Sequence, residues 1–108
     1  MISIDENIKT DPEGYLKNSA NWNIIWAKAT AKQEELIMNE EHWEIVYFIR
    51  SFYKKYNIVP TMRFLVKAMI KEYGKVKGNS HYLFYLFPKG PIKQATKIAG
   101  LPKSVKCL

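Results

Sequence analysis

At 108 residues, 47% of them hydrophobic and 14% aromatic, the chain is long enough for one packed core, too short for two, and too apolar to be disordered. No apolar run approaches the ~20 residues that span a bilayer, and a single cysteine excludes both a disulfide framework and a thiolate zinc cage. The formal charge of +7 is uneven: residues 1–48 carry four Lys against nine Asp and Glu, whereas residues 49–108 carry thirteen Lys and Arg against Glu72 alone.

In chain order, residues 2–17 read as a β-hairpin. Ile2, Ile4 and Ile8 flank polar residues, and Asp11-Pro12-Glu13-Gly14 has the composition of a type I turn, with Tyr15 and Leu16 starting the return strand. Ser19 or Asn21 then caps a helix through Trp22, Ile25, Trp26 and Ala29, to about Glu35. After the connector Leu36-Ile37-Met38, Asn39 caps a second helix with Glu40 and Glu41 in its first turn. Its inward stripe is Ile45, Phe48, Ile49 and Phe52. Asn57-Ile58-Val59-Pro60 breaks it. Thr61 caps a third helix, with Leu65, Ala68 and Met69 inward and Gly74 at its end.

Ser80 caps a short, almost wholly apolar helix over 82–87, whose Tyr82, Phe84, Tyr85 and Phe87 are expected to pack in the core. Gly90 and Pro91 open a fifth helix, marked by Ile92, Ala95, Thr96 and Ala99 on one face and Lys93 and Lys97 on another. Gly100 suits a left-handed C′ position, and Pro102 two residues later is a stop signal. The remainder lacks periodicity, so residues 101–108 read as a mobile C-terminal arm. The expected architecture is mostly α (α+β): one domain over 1–108, a small orthogonal bundle of about five helices with an N-terminal β-hairpin and a flexible arm.

The arm holds the one credible nucleophile, Cys107. A free thiol of pKa ~8.5 is only a few per cent ionised at neutral pH. Lys103 and Lys106 nearby favour the thiolate, while solvent screening and the carboxylate of Leu108 limit that help. His42 and His81 lack spaced ligand partners and read as structural, as do Trp22, Trp26 and Trp43. No Gly-rich phosphate loop, paired acid/base carboxylates or Ser/His/Asp set is present. The free thiol, and a start with neither basic n-region nor apolar h-region, predict a cytoplasmic protein without a secretory leader.

Phe87-Pro88-x-Gly90-Pro91, Gln94-Ala95, Lys97-Ile98-Ala99-Gly100-Leu101-Pro102 and the penultimate Cys107 together resemble the C-terminal signature of the DsrC/TusE family of sulfur-trafficking proteins. Weaker echoes run upstream in Glu13-Gly14-Tyr15-Leu16, Trp22-Asn23, Glu40-Glu41-His42-Trp43 with Phe48-Ile49-Arg50, and Pro60-Thr61-x-Arg63. Members that work with dissimilatory sulfite reductase carry a second arm cysteine eleven residues before the penultimate one. Here that position is Thr96.

One thiol permits a persulfide but no arm disulfide, which favours the TusE branch. The resemblance then implies a sulfurtransferase that needs no cofactor. Cys107 would take a persulfide from a TusBCD-type donor complex and pass sulfur to an MnmA-type thiouridylase bound to tRNA, for 2-thiolation of the wobble uridine. It also implies that Arg63 lies near the arm's docking groove, holding the terminal carboxylate or steadying the thiolate; the chain is expected to be monomeric when free.

A different class of reading comes from charge. The basic second half points to an anionic partner, through direct contact with tRNA or with an RNA-bound enzyme, or is simply a lysine-rich solvated surface. The helix pair around 40–74 has helix-turn-helix form, and Arg63, Lys67 and Lys71 fall about one turn apart. Yet the third helix offers no Asn or Gln to base edges. A DsrC-like partnership with sulfite reductase is disfavoured by Thr96.

Overall fold

Side-chain caps set the starts of four of the five helices. The structure, a computed structural model, describes residues 9–103. Helix α1 (Ile24–Gln33) begins where Asn23 Oδ1 accepts the Trp26 N–H at 2.7 Å. Helix α2 (Glu40–Tyr56) is capped by Asn39, α3 (Met62–Tyr73) by Thr61, and α4 (Ser80–Leu86) by Asn79. Helix α5 (Pro91–Ile98) has no side-chain cap and opens on Pro91, whose missing N–H needs no partner there.

The expected start of α1 shifts accordingly. Residues Ser19–Asn21 form a separate short 3₁₀ turn capped by Asn18, and Trp22 precedes the helix. Its buried face is Trp26, Ala27, Thr30 and Ala31, whereas Ile25, expected inward, is 47% exposed. In α4 it is Leu83 and Leu86 that face inward, and Tyr85 is 80% exposed. Of the aromatics expected under the arm, Phe87 alone is fully buried.

The N-terminal β-hairpin is not borne out as a pair of strands. Among the described residues it reduces to the turn over 11–14 and one antiparallel bridge between Thr10 and Leu16. Asp11 closes the turn, its side chain accepting the N–H groups of Glu13 and Tyr15, and the two sides are joined by the backbone bonds from Asp11 N–H to the Tyr15 carbonyl and from Lys17 N–H to the Lys9 carbonyl. Ile2, Ile4 and Ile8 lie outside the described residues.

One core unites the helices. Ile45, Val46 and Ile49 of α2 pack with Leu65 and Met69 of α3, Leu83 and Leu86 of α4, and Ala95 and Ile98 of α5. Helix α5 packs on α1, α2 and α4. Lys97 and Gln94 of α5 both reach Glu34 just beyond α1, at 3.3 and 3.4 Å. Among the described residues no helix is long and apolar enough to cross a membrane.

Candidate functional site

The described chain leaves the core at the end of α5, and the packing there governs where the C-terminal residues start. Helix α5 closes in a full Schellman motif. The Leu101 N–H bonds the Thr96 carbonyl at 3.0 Å and the Gly100 N–H bonds that of Lys97 at 3.1 Å. Gly100 takes φ +75°. A Cβ there would stand 2.9 Å from Leu16 Cδ1 and from Trp22 Cβ, and closer still to Trp22 Cδ1. Leu101, expected as the first residue of the arm, is instead fully buried in the core.

Two side chains from other elements hold the last carbonyls of the helix. Trp22 Nε1 donates to the Ile98 carbonyl at 2.7 Å, and Arg50 Nη1 donates to that of Ala99 at 2.7 Å. The Arg50 guanidinium also lies 4.2 Å from the Trp22 ring centroid. A cation at a helix C-terminus is favourable, and stacking fixes it in place. Burial lowers the pKa of Arg50, with a smaller opposing effect from Tyr47. It remains a cation, since arginine does not deprotonate in proteins.

The turn over 11–14 covers the same end. Leu16 packs beneath Gly100, Tyr15 Oη reaches the Lys93 carbonyl at 3.5 Å, and Glu13 pairs with Lys103. Nearby, His42 braces the end of α4. Its Nε2 lies 2.7 Å from the Leu86 carbonyl, its ring meets Phe87 edge-on at 5.2 Å, and its Nδ1 belongs to the capping box with Asn39. With both ring nitrogens engaged inside the fold, His42 is a structural residue.

Of the residues singled out in the sequence, Lys103 stands at this exit, exposed and paired with Glu13. Cys107 and Lys106 lie outside the described residues, as does most of the segment expected as the arm. Arg63 is exposed in the first turn of α3 and makes no hydrogen bond or ion pair with residues 98–103 among those described. Thr96 is buried, and its hydroxyl donates to the Ile92 carbonyl. No group of His, Cys, Asp or Glu among the described residues could hold a metal.

Sequence reasoning placed Trp22 in the core and gave Arg50 no task. The signal for both was present, since each sits in a segment that carries the family resemblance. Of those segments, Glu13 to Leu16, Trp22 and Arg50 meet around the end of α5 at Gly100, and His42 braces Phe87.

Comparison with known proteins agrees with this geometry. The family model described as DsrC like protein matches residues 3–108. The chain is 59% identical over 108 residues to the Sulfurtransferase TusE of Photorhabdus laumondii, covering 100% of this chain and 97% of that one. It is 55% identical to the Sulfurtransferase TusE of Escherichia coli K12, covering 100% and 99%. Its fold matches the NMR structure of Allochromatium vinosum DsrC with a TM-score of 0.87, at 48% identity over 99% of this chain and 96% of the other. The chain belongs to the DsrC-like family.

Proposed function

We infer that the protein is a sulfurtransferase, a persulfide carrier in the sulfur relay of tRNA 2-thiolation. What carries this reading is full-length identity of 55–59% to proteins named Sulfurtransferase TusE, in a chain with one thiol. Cys107 loses its proton, and the thiolate attacks the outer sulfur of a donor persulfide. A new S–S bond forms, the donor S–S bond breaks, and the donor leaves as a thiolate that takes up a proton. An acceptor thiolate then attacks the outer sulfur of Cys107 and regenerates the Cys107 thiolate. Each step exchanges one S–S bond for another, so no external redox agent is required.

The donor is a TusBCD-type complex and the acceptor an MnmA-type thiouridylase bound to tRNA, acting in a reducing cytoplasm that keeps a lone thiol free. Lys103 and Lys106 stabilise the thiolate modestly in water. Arg63 is assigned to hold the terminal carboxylate when the C-terminal residues dock. Nucleic-acid binding by the α2–α3 pair is not favoured, because the family match covers the chain from residue 3 to its end.

Incubation with a small-molecule persulfide donor, followed by intact-mass analysis, tests the assignment. Cys107 gains one sulfur, and Cys107→Ser gains none. A sulfur adduct that survives Cys107→Ser, or no adduct on the unaltered protein, contradicts it. In the same assay Arg63→Ala slows loading several-fold, and an unchanged rate removes Arg63 from the site.

A further inference from the structure

Away from the end of α5, the outer face between α2 and α3 is concave and apolar. A cavity of about 390 Å³ is lined by Phe52, Tyr56, Ile58, Phe64 and Ala68, with Lys67 and Lys71 at its edge. It continues along α2 past Lys55. Tyr56, Ile58 and Phe64 are 53%, 52% and 54% exposed, which is large for side chains of their kind on one continuous patch. Folding alone does not account for them, because the inward positions of both helices are already filled by Ile45, Ile49, Leu65 and Met69.

Charge identifies the occupant. Lys67 and Lys71 form no ion pair with any described residue, and Lys55 approaches only the Tyr56 ring, at 5.2 Å. Glu72 is the one carboxylate on the groove's wall. A partner that fills the floor with an apolar side chain must therefore bring carboxylates to the rim. Geometry also separates protein from nucleic acid. Phe52 and Tyr56 are packed on each other at 4.8 Å, tilted by 50°, so they do not offer parallel faces for stacking bases. Neither Asn, Gln nor Arg lines the groove to read a base edge.

We propose that this groove is a protein-docking surface for an acidic amphipathic helix, whose apolar row seats on Phe52, Tyr56, Phe64 and Ala68 while its carboxylates meet Lys55, Lys67 and Lys71. The 12 residues of α3 present a wall of about 18 Å, the span of roughly three helical turns of a partner. None of the described residues 101–103 lines the surface, so the partner would be delivered to the domain by contacts of α2 and α3.

The test uses the full chain and a fluorescein-labelled synthetic peptide of about 14 residues, with leucines at helical i, i+3, i+4, i+7 spacing flanked by glutamates. The acidic peptide is expected to bind with amide shifts confined to 52–58 and 64–72, and more weakly as salt rises. Lys67→Glu with Lys71→Glu weakens binding about tenfold or more, and Phe64→Ala does likewise. All these positions are exposed, and circular dichroism verifies that the variants fold. Cys107→Ser binds as the unaltered chain does, so this result is independent of sulfur transfer. The proposal is overturned by absence of binding, by equal binding of a scrambled or lysine-for-glutamate peptide, or by indifference to the double charge reversal. It is also overturned if a single-stranded oligonucleotide occupies the same amides more tightly than the peptide.

Discussion

Gly100 shows how narrowly the exit of the chain is defined. Its positive φ suits glycine, and the space where a Cβ would stand is taken by Leu16 and Trp22, which are themselves fixed by the core and by the bond to Ile98. Gly100→Ala therefore adds left-handed strain to a steric clash and is expected to destabilise the fold by about 2–4 kcal/mol. Urea unfolding monitored by tryptophan fluorescence measures it, and a loss below about 1 kcal/mol would mean that the exit is pliable. The glycine was legible at C′ from Pro102 beyond it. Its crowding was not, because Leu16 and Trp22 lie more than seventy residues away in sequence.

The same terminal motif, built with the wrong residue, closes α1. The Leu36 N–H bonds the Ala31 carbonyl at 2.9 Å, the Glu35 N–H bonds that of Lys32 at 3.0 Å, and Glu35 takes φ +59°. A non-glycine in that conformation costs about 1 kcal/mol. Its ion pair with Lys89 is exposed and offsets little of this. Glu35→Gly is thus expected to raise stability by about 0.5–1 kcal/mol, visible as a higher urea midpoint with an unchanged slope. A lower midpoint would show that the Lys89 pair outweighs the strain. Helix ends of this kind explain where the sequence was hard to read. With no glycine after Gln33, the end read as about Glu35, two residues late. At the other end, Ser19 or Asn21 read as the cap, whereas Asn23 fills that role. Helices α2, α3 and α5 were legible because one cap or one Gly-Pro pair stood alone at each boundary.

At the scale of the molecule, the hairpin, the arm and the site separate by kind of information. Local periodicity found the helices. It could not foresee that, among the described residues, the hairpin would amount to a turn closed by Asp11 and a single bridge. Nor could it foresee that Trp22 and Arg50 would meet over the carbonyls of α5, since that depends on long-range packing. The candidate thiol was legible because it is the only one.

The core also carries a titration that acts on the whole fold. Burial raises the pKa of Tyr82 and of Tyr73, with nearby Glu41 and Glu44 adding to the first, Glu44 and Glu72 to the second, and Lys77 opposing both. Tyr82 Oη is buried without a hydrogen-bond partner among the described residues. A folded pKa above the unfolded value favours the neutral phenol. Stability is therefore full below about pH 10 and falls as pH rises through the folded pKa values. Tyr82→Phe removes one such group together with its unpaired hydroxyl. It is expected to be neutral or slightly stabilising at pH 7 and to lessen the alkaline loss. Urea midpoints at neutral and alkaline pH check this, and an alkaline loss equal to that of the unaltered chain would contradict it.

The most direct measurement is the 2-thiouridine content of tRNA, by nucleoside mass spectrometry, in cells that lack this protein and carry either the unaltered chain or Cys107→Ser. Restoration of wobble-uridine thiolation by the former and not by the latter is the predicted result. Equal thiolation with both chains would show that sulfur does not travel through Cys107.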